Sequence, residues 1–338
     1  MSGEKAGRGK LAPVMLEDVW GGWKVQVLAS ALELEIFAHL AAGKRSVGQL
    51  AAATRTTPRG MRGLLDALVA MRYLGKRGDQ YNLRPPADAY LVPGATVSLW
   101  PLVETARACW NDWARLTDVV RSGEPCVAAG NDPGALDRRN KVAAALFCVG
   151  RDAAPAAVRA FPPRRMAEIH DILEIGPGAG AWSLSFAKAL PEARVTVRDS
   201  GQVCPLARQA FAAAKLENRV TFHGGDPRHE DLGVEGFDLL ICSYAMSLLG
   251  PVEARELARR CAGALKPGGS ILIAEFLPND IRSDPPLALL YGLNLLLHTE
   301  QGDAYTLREY RAWIREVGLH FSQTIEAGAF SPLILGTK

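Results

Sequence analysis

The sequence predicts an α/β protein in which a mostly parallel, seven-stranded sheet follows a mainly α-helical domain. In the second half of the chain, short apolar runs rich in Val, Ile and Leu alternate with helix-length segments, as in sheets whose strands are joined by crossover helices. A glycine-rich turn follows the first of these strands. The first hundred residues instead contain helical patterns and a single short hairpin pattern.

Length and composition limit the classes of protein to consider. The 338 residues suffice for two domains with separate hydrophobic cores. A net charge of +3 is too small to indicate a nucleic-acid or membrane partner. We find no apolar stretch of transmembrane length and no signal-peptide pattern. The six scattered cysteines form no C-x-x-C pair, which favours reduced thiols, so these features together predict a cytoplasmic protein.

A helical domain is predicted at residues 16–100, after a flexible tail at residues 1–15. Residues 16–40 are expected to form one helix that is apolar over most of its surface, which indicates a dimer interface. Ser46 and Thr57 are typical N-cap residues, and the two helices they begin are followed by two short strands around a glycine turn. That order is typical of a winged helix-turn-helix.

A winged helix-turn-helix can bind DNA or mediate dimerisation. DNA binding would place Arg55, Arg59 and Arg62 on phosphates. The presumed recognition helix, however, contains two glycines and no Asn or Gln to read bases, and the domain has only a mild excess of basic residues. We therefore expect a homodimer formed through the N-terminal domain, and no nucleic-acid partner.

The remaining chain is predicted to comprise a helical linker and pocket segment at residues 101–163 and a catalytic domain at residues 164–338. Helices are expected near residues 99–120 and 138–161, and a turn at Gly268-Gly269. Two further strands are expected near the C-terminus. The other predicted strands are Asp171 to Ile175, Arg194 to Arg198, Val220 to His223, Leu239 to Ser243, and Ser270 to Glu275.

The most informative motif is the glycine-rich turn after the first strand of the sheet. An apolar strand ends in Glu174-x-Gly176-x-Gly178-x-Gly180, and a helix follows. Glycines allow the chain to turn sharply and a ligand to approach the backbone. The helix that follows offers free N–H groups and a positive dipole end. The spacing differs from the Gly-x-Gly-x-x-Gly pattern of dinucleotide binders.

Two acidic residues extend this motif along the same sheet edge. Asp199 ends the next strand, where a carboxylate can accept hydrogen bonds from both hydroxyls of a ribose. Gly225-Asp226 follows the third strand, where a carboxylate can accept a bond from an adenine amino group. Three features in order at strand carboxyl ends predict a nucleoside-containing ligand at that edge.

With these motifs the sequence resembles the S-adenosylmethionine-dependent small-molecule O-methyltransferases that carry a winged-helix dimerisation domain. This family includes plant caffeate and flavonoid enzymes and bacterial antibiotic- and pigment-tailoring enzymes. The resemblance covers about residues 15–338. It rests on Glu174 to Gly180, Asp199, Gly225-Asp226, Cys242-Ser243, Leu265 to Gly269, and Asn294 to Thr306.

The resemblance implies a Rossmann-like fold and an intertwined homodimer. The cofactor would be S-adenosylmethionine and the product S-adenosylhomocysteine. Gly176 and Gly178 would lie against the methionine portion with Ser243 nearby, Asp199 would hold the ribose and Asp226 the adenine. The expected cofactor-binding residues are Glu174, Gly176, Gly178, Gly180, Asp199, Gly225, Asp226 and Ser243.

The sequence departs from the family at the catalytic base. Many members carry a His-Asp-Trp run after the fourth strand, and its histidine deprotonates the substrate hydroxyl. Here Ser247 takes the place of that histidine, and a serine without a partner is not a base at neutral pH. Gly292 takes the place of the supporting acid, and Ala304 that of a further glutamate. The usual base machinery is therefore expected to be absent as a set.

Methyl transfer can still proceed by positioning, because the sulfonium methyl is already activated and in-line alignment supplies much of the rate. We expect a small aromatic or polyketide-like secondary metabolite as the substrate. O-methylation is favoured by the size of the family, and the missing histidine leaves C- and N-methylation open. Ser247 and His298 are the candidate catalytic residues.

The expected substrate pocket is largely apolar and aromatic, with few polar anchors. His298 lies one helical turn beyond Asn294, so it is either a packing histidine or a base or substrate anchor. The histidines and acids show no ligand spacing, so no metal is predicted. The candidate pocket residues are Trp110, Trp113, Phe147, Arg151, Tyr244, Met246, Tyr291, Asn294 and His298.

Two alternatives to methyl transfer are considered. The same scaffold with intact cofactor motifs and an altered catalytic run could serve hydroxylation, decarboxylation or cyclisation, with the cofactor bound but not consumed. Production of S-adenosylhomocysteine separates these cases. A cofactor-sensing DNA-binding regulator is the third interpretation, and it predicts salt-sensitive DNA binding, against which the weak charge excess argues.

Overall fold

A computed structural model describes residues 13–95, 97–126, 135–199, 204–226, 229–327 and 332–338. Most of the predicted N-terminal tail, residues 1–12, therefore lies outside the described residues. The chain divides into two compact units, Met1–Arg107 and Ala108–Lys338. They are called the N-terminal unit and the catalytic unit below.

The N-terminal unit contains mainly helices and one two-stranded sheet. Strands β1 and β2 pair antiparallel with Leu74 opposite Leu83, which confirms the predicted hairpin. The elements are α1 (Pro13–Glu33), α2 (Ile36–Ala41), α3 (Val47–Thr54), α4 (Pro58–Ala70), β1 (Leu74–Arg77), β2 (Gln80–Leu83), α5 (Pro85–Tyr90) and α6 (Trp100–Ala108), the last ending one residue beyond the unit.

The two predicted helix starts in this unit are confirmed by their hydrogen bonds. The Ser46 side chain accepts from the Gln49 backbone N–H, and the Gln49 side chain accepts from the Ser46 N–H, so both ends of a capping box are present. The Thr57 hydroxyl accepts from Gly60 N–H, and Pro58 occupies the first helical position of α4. Side chains thus satisfy N–H groups that the first turn of each helix leaves open.

The long helix predicted over residues 16–40 is wrong in one respect, because the structure breaks it. Helix α1 ends at Glu33, and Glu35 adopts φ 51°, in the left-handed region, before α2 begins at Ile36. The break turns Ile36, Phe37 and Leu40 into the core, where each is at most 2% exposed. Periodicity alone did not reveal this change of direction, since both segments are apolar.

The catalytic unit alternates helices with strands. A turn of 3-10 helix precedes β5. The elements are α7 (Trp110–Trp113), α8 (Leu116–Ser122), α9 (Ala135–Ala160), α10 (Pro163–Met166), β3 (Asp171–Ile175), α11 (Ala181–Ala189), β4 (Arg194–Asp199), α12 (Pro205–Ala213), β5 (Val220–Gly224), β6 (Phe237–Ser243), α13 (Pro251–Ala264), β7 (Leu265–Ala274), α14 (Pro286–His298), α15 (Leu307–Glu316), β8 (His320–Glu326) and β9 (Pro332–Thr337).

The seven strands of this unit form one sheet in the order β5-β4-β3-β6-β7-β9-β8. The first five in that order run parallel, whereas β9 pairs antiparallel with both β7 and β8. The predicted mostly parallel, seven-stranded sheet is confirmed. The chain proceeds outward from β3 through β4 to β5 and then returns to the other side of β3 as β6. Ligands of open α/β sheets bind at the carboxyl ends of the strands beside such a reversal.

Two further predictions in this region are wrong in detail. The single helix predicted over residues 99–120 is three helices, because the backbone at Cys109 and Arg115 departs from helical geometry with ψ near 3°. Asn111 and Asp112 lie between them, and such residues disfavour helix interiors. Gly268-Gly269 is not a turn before a strand. It lies within β7, where both residues pair with Lys338 through backbone hydrogen bonds.

The six cysteines are free thiols, five of them buried and Cys126 half-buried. This agrees with the reduced state that the sequence predicts. Among the described residues, no helix combines the length and apolarity needed to cross a membrane.

Candidate active site

The carboxyl ends of four neighbouring strands bring the candidate site together. Glu174 lies near the end of β3 and Asp199 at the end of β4, whereas Ser243 ends β6 and Glu275 directly follows β7. Because these strands are parallel, the four residues share one edge of the sheet. Each is at most 2% exposed.

The loop after β3 needs glycine because the protein's own backbone approaches it. Gly176, Gly178 and Gly180 adopt φ of 124°, 73° and 104°. A Cβ on Gly176 would meet the carbonyl oxygen of Ser243, and one on Gly178 would meet the carbonyl oxygen of Ala143 in α9. From the sequence, these glycines are expected to let a ligand approach the backbone. The structure gives a second reason, which is close packing of the loop against β6 and α9.

Glu174 holds the start of the helix that follows this loop. Its carboxylate accepts hydrogen bonds from the backbone N–H groups of Ser183 at 2.7 Å and Trp182 at 3.4 Å, both in the first turn of α11. Burial raises the pKa of Glu174, and these N–H donors oppose that shift. Glu174 therefore replaces the missing side-chain cap of α11, whose N-cap is Gly180.

Asp199 links the same loop to the segment after β4. Its Oδ2 accepts from Gly178 N–H at 3.3 Å and from Cys204 N–H at 3.2 Å. Its carbonyl oxygen accepts from Gly225 N–H, which joins β4 to the turn after β5. In that turn the Asp226 carbonyl oxygen accepts from the N–H groups of residues 229 and 230. Glu174, the loop Gly176–Gly180 and Asp199 form what we call the cofactor half of the site.

Ser243 links β6 to β3, the two strands on either side of the chain reversal. Its hydroxyl donates to the carbonyl oxygen of Ile175, at the end of β3, over 3.2 Å. The side chain is 1% exposed. Ser243 thus fixes the end of β6 against the start of the glycine loop.

Glu275 directly follows β7, and Ser247 lies four residues beyond the end of β6. Glu275 Oε1 accepts from the backbone N–H groups of Met246 at 3.0 Å and Ser247 at 3.2 Å. Glu275 Oε2 and the Ser247 hydroxyl are buried and make no hydrogen bond of standard geometry with the described residues. Burial raises the pKa of Glu275 to about 7, against the opposite effects of the nearby Ser247 hydroxyl and of those N–H donors.

Three aromatic rings pack against one another near Glu275. The Phe276 ring lies 5.4 Å from the Tyr244 ring and 4.4 Å from the Tyr291 ring, measured between centroids. Burial raises the pKa of both tyrosines far above the usual range, and the charge of Glu275 adds to the effect, so both hydroxyls stay protonated. Ser247, Glu275 and Tyr291 form what we call the acceptor half of the site.

Residues 151–320 of the chain match the O-methyltransferase domain, and residues 19–93 match the O-methyltransferase dimerisation domain. The chain belongs to the O-methyltransferase family. It is an S-adenosylmethionine-dependent methyltransferase with a dimerisation domain, as the sequence predicts.

Curated relatives cover nearly the whole of this methyltransferase. It is 30% identical to the tetracenomycin polyketide synthesis 8-O-methyl transferase of Streptomyces glaucescens over 321 residues, 93% of each chain. It is 29% identical to the 3-hydroxy-5-methyl-1-naphthoate 3-O-methyltransferase of Streptomyces sahachiroi, over 93% of this chain and 91% of the relative. Human N-acetylserotonin methyltransferase, solved with S-adenosylmethionine, superposes with a TM-score of 0.82 at 26% identity, covering 98% of this chain and 99% of the other.

The cofactor half of this methyltransferase fits a nucleoside with a charged tail. A buried carboxylate at the end of β4 and a loop with positive φ stand at the chain reversal of the sheet. The individual contacts assigned to Gly176, Gly178, Gly180, Asp199, Gly225, Asp226 and Ser243 stay predictions. The Glu174 carboxylate already accepts a hydrogen bond from the Ser183 N–H in α11, and its predicted contact with the cofactor also stays a prediction.

The predicted pocket residues of the methyltransferase fall into separate groups. Tyr244 and Tyr291 flank Phe276, whereas Met246 is fully buried in the core and contacts Glu275 through its backbone N–H. On α9, the Arg151 guanidinium lies 5.8 Å from the centre of the Phe147 ring.

A third group joins α7 to α14. Trp110, 43% exposed, and Trp113 belong to α7. His298 ends α14, where its Nδ1 lies 2.8 Å from the Asn294 carbonyl oxygen and its Nε2 lies 3.1 Å from Asp112 Oδ2. Both ring nitrogens of His298 therefore already face hydrogen-bond acceptors.

Sequence reasoning missed Glu275, Phe276 and Asp112 in this methyltransferase. Glu275 was expected only as the last residue of an apolar strand, and the acidic residues near the base were expected to be absent as a set. The structure adds an acidic residue at this place, because the Glu275 carboxyl accepts from the Ser247 N–H, and the expected absence of the family's base set stays a prediction. The sequence did contain one signal for Glu275. It is a carboxylate at the end of an apolar strand, and that strand ends at the same sheet edge as the strand of Asp199.

Proposed function

We propose that this enzyme methylates a hydroxyl group on a small aromatic or polyketide-like secondary metabolite and that Glu275 accepts the hydroxyl proton. One observation carries the proposal: a buried carboxyl oxygen that makes no hydrogen bond of standard geometry with the described residues, near three aromatic rings at the ligand-binding edge of the sheet. Two relatives support the substrate class, one named as a 3-O-methyltransferase of a hydroxynaphthoate and the other as an 8-O-methyl transferase of tetracenomycin polyketide synthesis.

The cofactor half would hold S-adenosylmethionine. Asp199 is suited to the ribose hydroxyls, Asp226 to the adenine amino group, and Gly176, Gly178 and Ser243 to the methionine portion. When bound, the cofactor supplies a methyl group already activated by its sulfonium. The chain therefore has to align the acceptor oxygen with that methyl group, exclude water and remove one proton.

Glu275 is suited to removing that proton. A general base works best when its pKa lies near the working pH, and burial raises the pKa of Glu275 to about 7. The ionised form accepts the proton of the substrate hydroxyl while the oxygen takes the methyl group. The backbone N–H groups of Met246 and Ser247 hold Oε1, which leaves Oε2 to receive the proton. Positioning thus remains the larger contribution, as the sequence analysis proposes, with Glu275 acting in place of the missing histidine.

His298 is less suited to this role. A base needs a free lone pair, and each ring nitrogen of His298 lies within hydrogen-bond distance of an oxygen acceptor. Ser247 has a hydroxyl next to Glu275 but no partner that would make it a base. We therefore assign the substrate pocket to Tyr244, Phe276, Tyr291 and Asn294, with Trp110, Trp113, Phe147 and Arg151 as further candidates.

The enzyme would act as a homodimer formed through its N-terminal unit. That unit matches a dimerisation domain, and α1 exposes large apolar side chains on its surface. Trp20 and Trp23, 45% and 63% exposed, stack with their ring centroids 5.5 Å apart, beside exposed Met15 and Val19. A contiguous exposed apolar surface is typical of a protein interface.

The test is a substrate panel with detection of S-adenosylhomocysteine. Hydroxynaphthoates and polycyclic phenols are compared with their amino and deoxy analogues at equal ring size. We expect turnover of hydroxylated aromatics and an O-methyl product by mass spectrometry. Isothermal titration with S-adenosylmethionine and S-adenosylhomocysteine, each expected to bind in the micromolar range, tests the cofactor half separately. Methylation of the amines alone, or hydroxylation without S-adenosylhomocysteine, would contradict the proposal.

A further inference from the structure

Three side chains with metal-binding atoms meet in the catalytic unit, away from Glu275. Cys109 precedes α7, Asp112 lies within it, and His298 is the last residue of α14. The Cys109 Sγ, an Asp112 carboxylate oxygen and a His298 ring nitrogen lie within 4.8 Å of one another, and no other group of three such residues occurs in the part of the chain that the structure describes. Cys109 is buried, and the Asp112 and His298 side chains are each 19% exposed.

The hydrogen bonds of His298 orient its ring for a cation. Nδ1 lies 2.8 Å from the Asn294 carbonyl oxygen, which can only accept, so Nδ1 carries a hydrogen and donates. In a neutral ring Nε2 then presents a lone pair, and it lies 3.1 Å from Asp112 Oδ2, another acceptor. Two lone pairs at this distance require a positive species between them, which is either a proton or a metal ion. Metal-binding histidines commonly donate their second N–H to a backbone carbonyl in this way.

We propose that Cys109, Asp112 and His298 bind one Zn²⁺ ion between α7 and α14. Thiolate, imidazole and carboxylate are zinc ligands, whereas Mg²⁺ and Ca²⁺ prefer oxygen ligands alone. Tetrahedral zinc with bonds of about 2.0–2.3 Å places its ligand atoms roughly 3.3–3.8 Å apart, so the ion draws the three side chains closer than they stand here. Three protein ligands leave one position for water or another small ligand.

Zinc binding would release protons from Cys109 and from any protonated His298. The metal replaces the hydrogen of the Cys109 thiol, and the imidazole must be neutral, so protons pass to solvent while no electron is transferred. The bound ion joins α7 to the C-terminal end of α14, whose Tyr291 belongs to the acceptor half. The sequence predicts no metal because its histidines and acids show no ligand spacing. Asp112 and His298 lie 186 positions apart and come together only in the fold.

The test titrates Co²⁺ and then Zn²⁺ into the full-length enzyme after treatment with a chelator. Wild type is expected to bind one equivalent of Co²⁺ with a thiolate-to-cobalt charge-transfer band in the near ultraviolet, which one equivalent of Zn²⁺ removes. Cys109→Ser is expected to lose that band and, like His298→Ala and Asp112→Asn, to bind Zn²⁺ at least ~100-fold more weakly. Melting curves recorded in chelator establish that each variant is folded.

Cys148→Ser is the matched control. Cys148 is also a buried thiol, but it belongs to no group of three ligand residues among those the structure describes, so its variant should bind like wild type. Absence of stoichiometric binding to wild type would overturn the proposal and leave a protonated ion pair between Asp112 and His298. An unchanged band in Cys109→Ser would overturn it as well. Both readouts are independent of methyl transfer.

Discussion

The cofactor half and the acceptor half lie on one sheet edge but differ in how their buried carboxylates are satisfied. In the cofactor half, Glu174 and Asp199 each accept two backbone N–H groups, which close the glycine loop and cap α11. In the acceptor half, Glu275 Oε2 and the Ser247 hydroxyl are buried without a hydrogen bond of standard geometry to the described residues.

This difference indicates that Glu174 and Asp199 shape the site, whereas Glu275 is available to react. An unsatisfied buried polar group costs roughly 1–3 kcal/mol, so its presence in a folded protein calls for a functional explanation. In the cofactor half both carboxylates are engaged by backbone N–H groups, which hold the glycine loop in shape in advance of binding, although the Ser183 hydroxyl beside Glu174 is buried without a standard hydrogen bond, as the Ser247 hydroxyl is. In the acceptor half, the substrate hydroxyl would supply the hydrogen bond that Glu275 Oε2 lacks.

The largest expected effect is on turnover when Glu275 becomes Gln. The amide keeps the volume and one acceptor oxygen but cannot take a proton. We expect Glu275→Gln to lower kcat by about 10²–10⁴-fold, the usual contribution of general base catalysis, while the KM for S-adenosylmethionine changes little. Steady-state rates of S-adenosylhomocysteine production measure both quantities.

Glu174→Gln is the matched control, because it removes an equally buried carboxylate from the neighbouring half. Its amide can no longer accept from both Trp182 and Ser183, so we expect a lower melting temperature and weaker cofactor binding. Its pH dependence of kcat/KM should remain that of wild type. Equal loss of kcat in the two variants, with the same pH profile, would remove the distinction between the halves.

A smaller effect is expected when the backbone of the cofactor half is disturbed. Gly178→Ala adds a methyl group against the Ala143 carbonyl and the Phe147 N–H at φ 73°, and we expect a loss of about 3 kcal/mol in the free energy of unfolding. Gly318→Ala has a similar φ of 82° and no neighbour within 4 Å, so about 1 kcal/mol is expected there. Urea unfolding compares the two, and equal losses would show that close packing of the loop is unimportant.

Asp199→Ala tests the ribose assignment in the same half. Loss of the bonds to two ribose hydroxyls should weaken S-adenosylhomocysteine binding by about 1–3 kcal/mol, which is roughly 5–150-fold in Kd. Isothermal titration measures the change. The exposed Asp231→Ala serves as control for loss of one negative charge, and unchanged affinity in Asp199→Ala would show that the ribose lies elsewhere.

The smallest effect distinguishes two buried serines that lie four positions apart. Ser243→Ala removes a hydrogen bond to Ile175 and should cost about 1 kcal/mol of unfolding free energy. Ser247→Ala removes a hydroxyl without such a bond, so stability should stay within about 0.5 kcal/mol of wild type and turnover should fall by much less than ~10³-fold. A loss of turnover comparable to that of Glu275→Gln would make Ser247 part of the base.

Most of the fold and the cofactor half could be predicted from sequence because their signals are local. Glu174, the three glycines and Asp199 stand within 26 residues, and hydrophobic runs separated by helical patterns mark the strands between them. Ser46 and Thr57 mark the starts of their helices because their hydroxyls accept backbone N–H groups of the first turn. The left-handed backbone at Glu35 breaks the first helix but has no comparable signal in the sequence. Glutamate is common within helices, so its presence does not indicate a break.

The acceptor half was harder to predict because its residues meet only through tertiary structure. Ser247 and Glu275 come together when β6 pairs with β7, and Tyr291 joins them from α14. The partner of His298, Asp112, comes from a different helix of the unit. The pKa of Glu275 depends on burial, which neither its residue type nor its neighbours along the chain disclose.

The pH dependence of kcat/KM tests the account most directly. Burial raises the pKa of Glu275 to about 7, and the carboxylate accepts a proton only when ionised, so kcat/KM should rise tenfold per unit below pH 7 and level off above it. The account predicts that Glu275→Gln abolishes this rise and leaves a flat, lower profile with the same substrate. A rise with the same midpoint in Glu275→Gln would contradict it, because another group would then accept the proton.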